Sequence, residues 1–300
     1  MASADTFSRP APLLPIPSIP QSQCTARASM FEPQLIAELA ALGLCAGFMA
    51  GMLGIGGGML IAPFMTIILD QRGVGTDVGV KVAIATSMAM IAFTSLSSLR
   101  AHHKRGTVRW DIVTALAPGI ALGGALASAG VFAVLKGHTV SLVFAAFVGF
   151  SATQMLLNKQ PRASRQLPGA VGQSAAGVAI GFLSGLVGAG GGFISVPYML
   201  AHNVAMINAV STSAALGFPI ALFNSLGYIV GGWDAPGLPP WSLGYIWLPG
   251  LLVTASCSIW TAPLGAKMAH RLPMLTLRRI FAILLYGLCI YMLHKGLFGE

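Results

Sequence analysis

Between residues 35 and 297 the chain is a near-continuous series of apolar stretches, at about 35–54, 58–69, 82–99, 111–135, 140–157, 171–188, 192–201, 206–231, 241–265 and 279–297. A helix needs roughly 20 apolar residues to cross a bilayer, and inside hydrocarbon every backbone N–H and C=O must find a partner within the protein. The expected fold is therefore an all-α integral membrane protein, a polytopic bundle of about 8 hydrophobic spans by simple hydropathy and up to about 10 segments. Two stretches, 58–69 and 192–201, are too short to cross alone, and each follows a cluster of glycines.

Composition agrees with that reading. Only 8% of the side chains are charged and 55% are hydrophobic, against about 25% charged in a soluble domain. The net charge of +9 does not point to nucleic acid, because the basic residues sit in short runs between apolar segments, where membrane topology is set. Residues 1–33 differ, with prolines at 10, 12, 15, 17, 20 and 33 and no apolar core, and are expected to form a disordered leader. Cys24, Cys45, Cys257 and Cys289 lack CxxC or metal-ligand spacing; the last three lie in apolar segments, where cysteine acts as a small hydrophobe.

The two halves repeat. Gly51–Pro63, GMLGIGGGMLIAP, matches Gly185–Pro197, GLVGAGGGFISVP, at an offset of 134 (51 to 185). Ala85-Thr86-Ser87 matches Ser211-Thr212-Ser213, Trp110 and Pro118-Gly119 match Trp241 and Pro249-Gly250, and Phe144 with Met155-Leu156 matches Phe281 with Met292-Leu293. Repeat one is expected over 34–160 and repeat two over 161–300. The strongly basic loop Arg100–Arg109 corresponds to Gly231–Pro240, which has no Lys or Arg. Conversely, the short turn Lys136–His138 corresponds to the long basic stretch Lys267–Arg279. Equivalent loops thus fall on opposite sides by the positive-inside rule, which makes the expected repeats inverted.

Consecutive glycines permit a break in a helix because they accept positive φ and close approach. Within a membrane such a break survives only where it is buried in protein or lines a watery cavity. The half-helices that resume at Gly58 and Gly192 would present unpaired N–H groups and a positive dipole end, and an inverted repeat would bring the two together near the midplane. That is an anion site; the competing reading is close helix packing through small residues. A phosphate loop is excluded, since no GK[ST], preceding strand or downstream acid accompanies the glycines.

Thr86, Ser87, Thr212 and Ser213 begin the helices that follow, so their hydroxyls are placed to donate to an oxyanion or, alternatively, to bond a carbonyl in their own or a neighbouring helix. Asn224 adds a polar group one face along, beside Ser225. Lys81 lies at a segment end, where it either snorkels or helps draw in an anion. His102, His103 and His270 lie in basic loops and read as solvated charge. With no buried carboxylate or histidine chain there is no evident proton relay. Outward movement of an anion needs none, because an inside-negative potential supplies about 2.3 kcal/mol per charge per 100 mV. No metal or cofactor constellation is present, and an embedded enzyme would need a nucleophile and base that the apolar segments lack.

The paired G-x-G-G-G-x4-P motifs, each followed by A/S-T-S, the H-x-x-R-G-x-V-x-W pattern of His102–Trp110 and the G-A-x-M-A-x-R-L pattern of Gly265–Leu272 resemble the sulfite exporter TauE/SafE family. The resemblance covers about residues 35–297. It implies a multi-pass permease of the cell inner (plasma) membrane that carries small sulfur-containing or organic anions. It also carries the glycine motifs over to Gly54, Gly56, Gly57, Gly58 and Pro63, and to Gly188, Gly190, Gly191, Gly192 and Pro197. A non-transporting membrane subunit that scaffolds a complex is the alternative. The expected partners are a small anion and the lipid bilayer, not nucleic acid; association into a homo-oligomer stays open.

Overall fold

The computed structural model describes residues 32–53, 58–157, 166–269 and 274–298. The expected leader lies outside them, apart from its last two residues, as do Gly54, Gly56 and Gly57. The described chain is all-α, with ten helices and one two-stranded hairpin. The helices of the first half are α1 (Pro33–Leu53), α2 (Gly58–Gln71), α3 (Thr76–Lys104), α4 (Trp110–Val134, with a π turn at Leu126–Val131) and α5 (Gly137–Leu157). Those of the second are α6 (Ala170–Val187), α7 (Gly192–Ala201), α8 (Met206–Gly231), α9 (Leu248–Ala269) and α10 (Met274–Phe298). The hairpin pairs β1 (Ser242–Leu243) antiparallel with β2 (Ile246–Trp247) just before α9.

Helices α3, α4, α5, α6, α8 and α10 are each long and apolar enough to cross a bilayer. At 1.5 Å per residue, α2 and α7 reach only about 21 and 15 Å, roughly half to two-thirds of a 30 Å hydrocarbon core. Both are half-helices that start at a glycine, Gly58 and Gly192.

Contacts pair the halves reciprocally. Helix α1 packs on α9, with Gly43 against Thr254 and Gly47 against Ser258, so the two run parallel. Helix α4 packs on α6 in the same sense, with Leu116 against Gly177 and Ile120 against Gly181. Both seams are built on small residues, which let backbones touch where lipid gives no hydrophobic drive for association. A methyl at Gly119 would fall 1.8 Å from the Ser174 carbonyl oxygen. The repeat-equivalent helices α3 and α8 meet antiparallel, with Ser95 against Gly217 and His102 against Ser211. Helices α5 and α10 do likewise: Ser141 donates to the Met292 carbonyl (2.7 Å), while Thr153 meets Tyr286 (2.6 Å).

These contacts shift one part of the sequence alignment. The partners of the equivalent glycines show that α4 and α9 correspond at an offset of 138 (116 to 254, 120 to 258), not at the 131 given by Trp110/Trp241 and Pro118/Pro249. Trp241, with φ +64°, precedes the hairpin and is not the start of a helix. The seven-residue slip is close to two helical turns, so it preserves the helix face and escapes detection by pattern.

The bundle has two distinct ends. Loop 105–109 meets the start of α8 at one end, through Thr107 to Ser211 (2.7 Å). At the other, the turn before α5 meets the start of α3, through His138 N–H to Asp77 (3.2 Å), and Lys295 pairs with Asp70 (2.7 Å). Basic segments 158–165 and 270–273 are outside the described residues, but the flanking ends of α5 and α10, Leu157 and Met274, belong to the first end.

Candidate functional site

Helix α6 stops at Val187 because Gly188 turns left-handed, φ +68°, its N–H capping the Ser184 carbonyl at 2.8 Å. Gly191, φ +73°, then starts α7, its carbonyl accepting from Ile194 (3.0 Å) and Ser195 (2.8 Å). Only glycine takes two such turns within four residues without strain. Among the described residues nothing accepts a hydrogen bond from the N–H groups of Gly190, Gly192 or Phe193. These donors, at the positive end of α7, form the anion-favouring arrangement expected of a helix start.

Gly58, the described end of the first glycine cluster, meets the second cluster. A methyl at Gly58 would lie 3.1 Å from the Gly188 carbonyl oxygen, so the first turn of α2 touches the end of α6. Gly188 in turn sits against α3, where its methyl would come 3.4 Å from Ser87 Oγ, and Gly191 stands against Ser184 Oγ at 3.6 Å by the same measure. The Gly190 carbonyl faces Gly217 of α8. Pro63 and Pro197 each occupy the second turn of a half-helix, where the missing N–H leaves a carbonyl one turn back without its helical partner.

Thr86 and Thr212 form a reciprocal pair of stitches between the halves. Thr86 Oγ1 accepts the Trp247 N–H and Thr212 Oγ1 accepts the Arg109 N–H, both at 3.0 Å. Each secures the residue just before α9 or α4, and each hydroxyl keeps its own proton to donate. Ser87 donates to the Ile84 carbonyl at 2.8 Å. Ser213 shares one hydrogen bond with Ser195 (2.7 Å); two hydroxyls with one bond between them leave one O–H free. Asn224 donates to the Ile220 carbonyl at 2.8 Å and is held between Gly124 and Gly185, with its Oδ1 buried and unpartnered.

Ser184 and Ser195 were not among the sequence candidates. Both are fully buried, and Ser184 Oγ has no partner. At the repeat offset of 134 they correspond to Ala50 and Ile61, so comparing halves hides them. The visible signal was position alone: Ser184 lies four residues, one turn, before Gly188. His102 and His103 bond Ser211 (3.1 Å) and Trp110 (3.3 Å), and no group of three or more His, Cys, Asp or Glu assembles among the described residues.

Comparison with known proteins converges on one family. The family model described as "Sulfite exporter TauE/SafE" matches residues 39–292. A "Probable membrane transporter protein" of Haemophilus influenzae is 34% identical over 256 residues, covering 85% of this chain and 96% of its own. YunE of Bacillus subtilis, described in the same words, is 27% identical over 87% of this chain and 98% of its own. A relative so described in Methanocaldococcus jannaschii is 26% identical over 86% and 96%. No solved structure matches.

Proposed function

The chain belongs to the sulfite exporter TauE/SafE family, and on that premise we propose that it carries sulfite, sulfonates or related small organosulfur anions across the inner membrane, bound where the two glycine breaks meet. The family and the relatives' names indicate transport rather than catalysis. The observation that carries the substrate class is the contact of Gly58 with the Gly188 carbonyl beside donors that nothing in the described protein accepts: the Gly192 and Phe193 N–H groups and the Ser184 hydroxyl. Such donors are neutral, preorganised and already desolvated, so they favour an anion without the cost of a buried cation.

The antiparallel meeting of α3 with α8 and of α5 with α10 supports an inverted repeat, because a two-fold axis in the membrane plane reverses equivalent helices. The concentration of Arg100, Lys104, Arg105 and Arg109 at one end supports placing that end in the cytoplasm. Export follows the membrane potential.

Full-length protein in liposomes loaded with 35S-sulfite tests this. Wild type and Met59→Leu release label at equal rates, whereas Gly191→Leu, which drives a branched side chain into Ile220, abolishes release while thermal unfolding in detergent stays cooperative. If sulfite, sulfonates and other oxyanions neither bind nor cross, the carrier reading fails and a scaffolding role takes its place.

A further inference from the structure

At the end of the bundle away from the basic loops, a cavity of about 610 Å3 opens between the start of α3, the end of α4 and the segment after α8. Lys81 lines it. The residue is 9% exposed, and its ammonium donates to the Ala133 carbonyl (2.9 Å) and stands 5.3 Å from the centre of the Tyr245 ring. Among the described residues no carboxylate lies within ion-pair distance of it. Asp77, one turn back on the same helix and also lining the cavity, is exposed and accepts the His138 N–H (3.2 Å); it acts on Lys81 only from beyond ion-pair distance. Lys136 and Asp234, one of each charge, line the cavity and are exposed.

Ion pairing is the usual fate of a buried charge. The second largely buried lysine, Lys295 at 7% exposure, obeys it through Asp70 at 2.7 Å. Lys81 uses one of its three protons on a carbonyl and leaves two toward a cavity that holds many waters or a small ion. Ser87, beside Gly188, lies six residues further along the same helix, about 9 Å at 1.5 Å per residue. Thr86, the residue before Ser87, holds the Trp247 N–H of β2. Burial raises the Tyr245 phenol above its ordinary value, so it remains a neutral wall to the cavity.

We propose that this cavity is a second anion site, separate from the glycine breaks, in which the Lys81 ammonium beside the Tyr245 ring binds a small oxyanion or sulfonate. The proposal rests on the anion-carrier reading for its substrate class. A carrier with such a vestibule holds its anion once at a cation in contact with water and once at neutral donors within the bundle. The vestibule therefore sets apparent affinity from that face and leaves the maximal rate to the inner site.

Two measurements on the full chain test it. In liposomes, Lys81→Gln raises the half-saturating sulfite concentration on the cavity face by at least about fivefold with maximal rate kept within about twofold, and Lys81→Arg stays near wild type. Unchanged half-saturation in Lys81→Gln overturns the proposal while transport itself still upholds the carrier. Independently, Val78→Cys, which lines the cavity, is placed in a chain whose four native cysteines are serine. An anionic thiosulfonate then labels it faster than a cationic one of similar size, and millimolar methanesulfonate slows both; adding Lys81→Gln removes the preference and the protection. Preference and protection without transport would sink the carrier reading and keep this site; absence of both overturns the site whatever the transport assay gives.

Discussion

Ser184 and Thr212 illustrate two opposite ways for a buried hydroxyl to matter. Thr212 is a stitch: its oxygen is the acceptor for the part-buried Arg109 N–H, so Thr212→Val leaves that donor without its acceptor and costs about 1 kcal/mol, read as a lower unfolding midpoint in detergent. Thr86→Val does the same to Trp247. Ser184 is the reverse, a buried hydroxyl with no partner, so Ser184→Ala relieves an unsatisfied group. Its unfolding midpoint is expected to hold or rise while half-saturation for sulfite increases. A fall in stability with unchanged transport would assign Ser184 to packing. The sequence pointed to both threonines because they repeat; it hid Ser184 because the equivalent residue is Ala50, and asymmetry within a repeat leaves no trace in a comparison of halves.

At the scale of elements, the glycine breaks were legible and the helix seams only partly so. Two half-helices beginning at Gly58 and Gly192 follow from clusters of glycine in apolar segments too short to span. The register of α9 against α4 did not follow, since a slip of two turns puts the same kinds of residue on the same face. It became fixed only by which carbonyls the glycines touch. That contact predicts a sharp contrast between two single methyl groups. Gly119→Ala must push α4 off the Ser174 carbonyl and is expected to cost about 1–3 kcal/mol, whereas Gly130→Ala in the π turn meets nothing within 4 Å and is expected to be silent. Thermal unfolding of the two purified variants decides it; equal midpoints would mean the α4–α6 seam is looser than its geometry.

For the whole molecule, the proposed inversion makes a prediction that uses no substrate. Single cysteines at Lys104 and at Pro236, in the chain with its native cysteines replaced, should label from opposite faces of oriented vesicles with an impermeant reagent, Lys104 from the cytoplasmic one. Labelling from one face would refute the inversion and return the repeats to a parallel arrangement. Charge carried this much into the sequence, because the two long basic stretches sit in non-equivalent loops. What it could not carry is how the halves interlock, since α1 finds its partner about 210 residues ahead (Gly43 to Thr254) and α6 finds its own about 60 residues back (Gly177 to Leu116).

That interlocking has a further consequence. The small-residue faces of α1 and α4 are covered by α9 and α6, and neither half contains a cover of its own. Each half of the helical bundle thus depends on the other to cover its small-residue face. Under the proposed inversion, a half-length forebear of this design would have had to enter the bilayer both ways up and find its mate there.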